Sequence, residues 1–274
     1  MIHWNPDVVA FSIGPLSVRW YSLCWVLAFV AGYVVVHRLF RRSKLSDETF
    51  EPLFMYCFVG VLLGARLGHC LFYQPDYYLS HPVEMLLPMR NIAGQGWTFT
   101  GYEGLASHGG TLGLMIAVWL YCRRMGVGVW WLLDVMGITA PICAMFIRLG
   151  NLMNSEIIGR PTDVPWAFVF ERVDQLPRHP GQLYEAIAYL VIFIIGLLLY
   201  TRAKAPQLGS RFYFGWCIAS IFAARILIEY TKEVQEAFEE GMMFNMGQIL
   251  SLPFVVGGVA CMWHAVKRGE RGDA

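Results

Sequence analysis

Apolar residues run along this chain in seven long blocks: roughly Val18 to Arg38, Phe50 to Tyr73, Leu105 to Arg123, Trp130 to Gly150, Gln182 to Thr201, Phe212 to Tyr230 and Asn245 to Lys267. Each approaches the about 20 residues that carry an α-helix through a hydrocarbon core. The pattern predicts an all-α, polytopic integral membrane protein of about seven transmembrane helices. Basic residues between the blocks are unevenly shared. Twelve (Arg38, Arg41, Arg42, Lys44, Arg123, Arg124, Arg202, Lys204, Arg211, Lys267, Arg268, Arg271) fall on one side, against five (Arg90, Arg160, Arg172, Arg178, Lys232) on the other. The positive-inside rule then predicts a cytoplasmic carboxyl terminus and an outer amino terminus. Two long loops, Gln74 to Gly104 and Asn151 to Gly181, and the acidic stretch Glu233 to Glu240 face outward in that topology. No repeat, low-complexity tract or linker divides the chain, which reads as one membrane-embedded domain over residues 1–274.

Composition sharpens this class. With 57% hydrophobic and 15% charged residues among 274, the chain has more apolar surface than one globular core can cover. A net charge of +1 with dispersed basic residues excludes a phosphate-backbone groove for nucleic acid. The seven cysteines all lie inside apolar blocks, without the spacing of a zinc site or a disulfide scaffold, and read as small core hydrophobes. The segment Met1 to Leu16 lacks the basic start of a cleavable signal peptide and carries Asp7, so insertion is expected to rely on the helices themselves.

Polar groups inside the blocks carry the candidate chemistry, because an arginine at membrane depth costs roughly 3 kcal/mol on insertion scales. Tyr21, Arg66, His108, Arg148 with Asn151, then Gln182, Tyr184 and Glu185, and finally Arg225 with Glu229 all fall toward the outer end of their blocks. Six blocks presenting polar groups at one depth predict a shared outer-leaflet cavity. Each group also has a plain structural reading. Arg148 alone can snorkel to the head groups. Arg225 and Glu229 at i, i+4 can form an intrahelical ion pair, Gly60, Gly64 and Gly68 form a small-residue packing stripe around Arg66, and Tyr21 suits an interfacial aromatic belt. Asn154, Glu156 and Arg160, just beyond Asn151, favour a site. Asp134, toward the other side, is expected to pair locally with Arg123 or Arg124. Ser107 is expected to cap the third block, leaving His108, Gly109 and Gly110 in a first turn whose N–H groups and positive dipole end suit a phosphate. The same dipole favours a neutral imidazole able to accept a proton. Two arginines, an amide and a neutral histidine suit holding a phosphate and removing a nearby proton.

The ordered set Phe11-Ser-Ile-Gly-Pro15, Arg19-Trp-Tyr21, Gly64-Ala-Arg66-Leu-Gly68, His108-Gly-Gly110, Arg148-Leu-Gly-Asn-Leu-Met-Asn-Ser-Glu-Ile-Ile-Gly-Arg160, Arg178-His-Pro-Gly-Gln-Leu-Tyr-Glu185, Arg225-Ile-Leu-Ile-Glu229 and Met246-Gly-Gln-Ile-Leu-Ser251 resembles the bacterial phosphatidylglycerol:prolipoprotein diacylglyceryl transferases. The resemblance implies an inner-membrane enzyme with its active site toward the outer face. Such an enzyme moves an sn-1,2-diacylglyceryl group from phosphatidylglycerol to the lipobox cysteine of a prolipoprotein, releasing glycerol phosphate, as the first step of lipoprotein maturation. It implies His108, Arg148 and Arg225 as catalytic groups, and Arg148, Asn151, Tyr21, Gly159, Arg160, Glu156 and Arg66 as phosphatidylglycerol-binding. Gly109, Gly110, Gln182, Tyr184, Glu185 and Glu229 would support them. No metal or cofactor is expected, since phosphatidylglycerol is itself a substrate, and the partners are that lipid and prolipoproteins. The chain departs from the family in a longer stretch between Arg90 and Gly104, in Glu229-Tyr-Thr-Lys-Glu-Val-Gln235 where Arg-Pro-Asp is common, in Ser155 where glycine is common, and in Ile221 in place of a tyrosine. A small-anion transporter would instead place its charges near the midplane between repeated halves. A membrane scaffold would need neither His108 nor buried arginines.

Overall fold

The computed structural model describes residues 1–14, 16–92, 96–99, 101, 104–202, 206–233 and 244–270. Lys204, Arg271 and the acidic stretch from 234 to 240 lie outside the described residues. In chain order the elements are β1 (Ile2–Trp4), β2 (Val9–Ile13), β3 (Leu16–Arg19), α1 (Trp20–Arg42), α2 (Asp47–Phe72), α3 (Pro75–Ser80), α4 (Pro82–Leu86), β4 (Met89–Ile92), β5 (Gly96–Phe99), α5 (Ser107–Met125), α6 (Val129–Asn154), β6 (Phe168–Phe170), β7 (Pro177–Arg178), α7 (Gly181–Thr201), α8 (Phe212–Glu229) and α9 (Met246–Glu270). The long helices follow the apolar blocks. Among the described residues six of them, α1, α2 and α6 to α9, are long and apolar enough to cross a membrane. In α5 the apolar character is diluted by Ser107, His108, three glycines and the Arg123-Arg124 end. The strands, two to five residues each, are too short to leave a periodic signature in the sequence.

The chain groups into two compact units, residues 40–129 and residues 1–39 with 130–274. In the first, α2 and α5 approach backbone to backbone. A methyl group added at Gly64 would collide with the Gly109 carbonyl, one at Gly109 with the Gly64 carbonyl, and one at Gly60 would lie 2.7 Å from the Gly113 carbonyl. The expected packing stripe is therefore real, and Gly109 and Gly113 are its other half. Ser107 does not cap α5: the cap position is Ala106, without a side-chain cap, and the Ser107 carbonyl accepts the Thr111 hydroxyl at 3.0 Å. Ala106 instead is fastened through its N–H to the Ala65 carbonyl at 2.9 Å. From within α2, Arg66 donates to the carbonyls of Glu84 at 2.6 Å and Met85 at 3.1 Å and lies over the Tyr78 ring at 4.6 Å. The Glu84 carboxylate accepts the Tyr77 hydroxyl at 2.6 Å and the Asn91 N–H at 3.0 Å. These two bonds hold its carboxyl below the usual carboxylate range.

In the second unit, β1 pairs in parallel with β6, and β6 in antiparallel with β7, so the chain start is tied to the loop between α6 and α7. Trp4 adds a hydrogen bond from its indole N–H to the Leu152 carbonyl at 2.9 Å. Ile142, Met145, Ala186, Tyr189 and Ile192 form the apolar core between α6 and α7. Asp134 does not pair with Arg123 or Arg124. It is fully buried and accepts the backbone N–H groups of Gly209 at 2.8 Å, Arg211 at 3.0 Å and Phe214 at 2.9 Å, capping α8 from a neighbouring helix. The physical reason is that the first N–H groups of α8 have no intrahelical acceptor, and a carboxylate meets several at once.

Candidate active site

The end of α6 places Arg148 and Asn151 on one face, and Arg148 donates to the Asn151 amide oxygen at 3.2 Å. The chain then turns sharply. Ser155 and Ile157 both adopt left-handed backbone, at φ 56° and 55°, which is strained for a β-branched residue and explains why glycine suits position 155. This turn folds Glu156 back onto α6, where its carboxylate accepts the side-chain amides of Asn151 at 3.1 Å and Asn154 at 3.0 Å. Gln182, fully buried at the start of α7, donates to the Glu156 carbonyl.

Residues 159–161 then run extended between two other segments. Gly159 donates to the His179 carbonyl at 2.9 Å and bridges Lys232, Arg160 donates to the Thr231 carbonyl at 2.9 Å, and Pro161 bridges Arg178. A Cβ on Gly159 would lie 2.5 Å from the His179 carbonyl oxygen and 2.6 Å from that of Thr231. Any larger residue would push those segments apart, so 159 is a tight backbone position. Arg178, buried, donates to the Gly159 carbonyl at 3.1 Å, to Asp174 at 2.9 Å and to Glu233 at 3.2 Å. The guanidinium holds the Asp174 carboxyl below its ordinary value.

This pairing delivers a side chain to the site that the sequence reading counted merely as a loop charge. Lys232 Nζ lies 2.9 Å from Glu185 and 3.4 Å from Glu229. Glu185 also meets Arg148 at 2.8 Å, and Glu229 meets Arg225 at 3.9 Å. The result is one line of alternating charge, Arg148, Glu185, Lys232, Glu229 and Arg225, drawn from α6, α7, α8 and the residues after α8. Side-chain exposure is 1% at Glu185, 6% at Lys232 and 8% at Glu229, rising to 24% at Arg148 and 44% at Arg225. The buried middle of the line is paired, and its two guanidinium ends are more open, Arg225 more than Arg148. Within these direct ion pairs three cations against two carboxylates leave one positive charge, which suits a phosphodiester, while the Glu156 carboxylate joins the line only through the Asn151 amide. Close by in sequence, buried side-chain oxygens of Asn154, Ser155 and Gln182 have no hydrogen-bond partner among the described residues. Tyr21 packs its ring against Gly150, one residue before Asn151, and so forms a wall at this end of α6.

Other expected residues sit differently. Tyr184 turns to Trp166, whose indole N–H it accepts at 2.8 Å, and to His179 at 3.1 Å. Burial and the nearby Arg160 cation hold the His179 imidazole below its ordinary pKa. The Arg160 side chain is exposed. His108 is exposed in the first turn of α5, with no hydrogen bond or ion pair among the described residues. Gly109 and Gly110 beside it pack on α2. The donors of Arg66 are engaged by carbonyls.

Comparison with known proteins identifies the family. The family profile described as prolipoprotein diacylglyceryl transferase matches residues 8–264. A relative from Bacteroides fragilis, named phosphatidylglycerol–prolipoprotein diacylglyceryl transferase, is 53% identical over 267 residues, covering 97% of this chain and 96% of its own length. Relatives of the same name from Tolumonas auensis and Chloroherpeton thalassium are each 42% identical; they cover 99% and 98% of this chain and 100% and 96% of their own lengths. With the match running almost end to end, the chain belongs to the prolipoprotein diacylglyceryl transferase family.

Proposed function

We infer that this protein transfers the sn-1,2-diacylglyceryl group of phosphatidylglycerol to the lipobox cysteine of prolipoproteins, the first step of lipoprotein maturation, in a bacterial inner membrane with its active site toward the outer face. The observation that carries the reading is the alternating charge line with its surplus positive charge and open guanidinium ends. The sulfur of the substrate cysteine attacks the sn-3 carbon of the lipid glycerol. A C–S bond forms as the C–O bond breaks, and the electron pair leaves on the oxygen of glycerol phosphate. Arg148 and Arg225 stabilise the charge growing on that phosphate as preorganised donors. A thiol of pKa about 8.5 is mostly protonated at neutral pH, so transfer needs a base to take that proton, and His108 is the candidate for the role. Asn151 and Glu156 fix Arg148, while the unpartnered oxygens of Gln182 and Asn154 receive the head-group hydroxyls. Arg66, with its donors engaged by backbone, is left out of this lipid-binding set.

The test is direct. Purified protein is incubated with phosphatidylglycerol and a lipobox peptide, and the peptide is weighed. A gain of one diacylglyceryl mass, lost when the cysteine is replaced by serine, supports transfer. An unmodified peptide with the wild-type protein overturns it.

A further inference from the structure

The charge line contains one cation that the transfer mechanism does not use. Lys232 is buried, follows the C-terminal end of α8, and contacts two carboxylates from different helices, Glu185 of α7 and Glu229 of α8. Its place is built. Its N–H bonds the Glu229 carbonyl at 3.1 Å, its backbone bridges Gly159, and a Cβ on Gly181 would lie 3.7 Å from its Cγ, so the stem runs over the start of α7. A lone lysine this deep would lose hydration without return, and here both of its neighbours are anions. Each anion in turn holds one of the two arginines, Arg148 by Glu185 and Arg225 by Glu229. Without the ammonium, two carboxylates would face two guanidiniums, and the surplus positive charge of the line would vanish.

We propose that Lys232 is a positioning residue that joins the two arginine–glutamate pairs into one unit and supplies the net positive charge by which that unit grips an anionic lipid head group. Lys232 acts on binding rather than on bond making, because its ammonium is enclosed by the glutamates while the guanidinium ends stay open. The inference rests on the transferase reading, and its test separates the two. Wild-type protein, Lys232→Gln, Lys232→Arg and the double variant Lys232→Gln with Glu229→Gln are purified in detergent. Radiolabelled phosphatidylglycerol binding and the single-turnover transfer rate to a lipobox peptide are then measured. Glutamine can still donate to a carboxylate but carries no charge. Lys232→Gln is expected to weaken lipid binding by roughly tenfold or more while the single-turnover rate at saturating lipid stays within about threefold, since charge complementarity acts on the anion before chemistry. Lys232→Arg is expected to bind within about threefold of wild type. The double variant restores the line to one surplus cation and is expected to recover much of the affinity. If Lys232→Gln fails to fold, the double variant carries the test against wild type: near-normal binding supports the proposal and a tenfold loss overturns it. Unchanged binding in folded Lys232→Gln, or a loss confined to the transfer rate, also overturns it. No transfer by wild type would instead remove the transferase reading.

Discussion

Arg148 carries the most direct prediction at the scale of single residues. It is three-quarters buried, donates to Asn151 and meets Glu185, so its orientation is set before lipid arrives. Arg148→Ala is expected to weaken phosphatidylglycerol binding about 10- to 100-fold, the worth of one or two charge-assisted hydrogen bonds, and equilibrium binding in detergent checks it. His108→Gln is expected to keep lipid binding and lower the single-turnover rate roughly 10²- to 10⁴-fold, as loss of a general base does; retained turnover would leave His108 without that role. Arginines, amides and carboxylates at helix ends were legible in the sequence because burying them needs a reason. Lys232 was not, because it follows the end of α8 and counts as one more outer-loop charge until the pairing of Gly159 with Lys232 carries it to Glu185. Asp134 misled for the related reason that its nearest cations in sequence, Arg123 and Arg124, are not its partners. Backbone N–H groups of the turn before α8 are.

Helices were the legible elements, because a hydrocarbon core demands long apolar runs, whereas the short strands that organise the loops demand nothing visible in one dimension. The α2–α5 contact is an exception in the helices' favour, since Gly60, Gly64 and Gly68 announced it. Gly64→Val is expected to separate the helices and lower thermal stability in detergent by several degrees or prevent insertion, because a branched side chain would meet the Gly109 backbone. A Gly257→Ala control in α9, where a methyl group would meet open space, is expected to change little. The capping of α8 by Asp134 belongs to the same scale. Asp134→Ala takes the shared acceptor from three backbone N–H groups and is expected to cost about 1–2 kcal/mol in equilibrium unfolding.

For the whole molecule, acid is the informative perturbant. Glu84, Asp174 and His179 all have pKa values lowered on folding, by hydrogen bonds for the carboxylates and chiefly by burial for the imidazole. A lowered value means that the unfolded chain binds the proton first, so each contribution is present above the unfolded pKa and is lost as pH falls. Stability in detergent is therefore expected to begin declining below about pH 6.5, through His179, and to fall further below about pH 4, through Glu84 and Asp174. His179→Asn should remove the first step alone, read from unfolding temperature against pH. The extended run of residues 159–161, held on one flank by 178–179 and on the other by 231–232, carries one more consequence. Loops that share a backbone ladder constrain one another's lengths. A variant with one residue inserted into any one of these three stretches would strand backbone groups in the other two, and is expected to lose more stability than the same insertion in an unpaired loop.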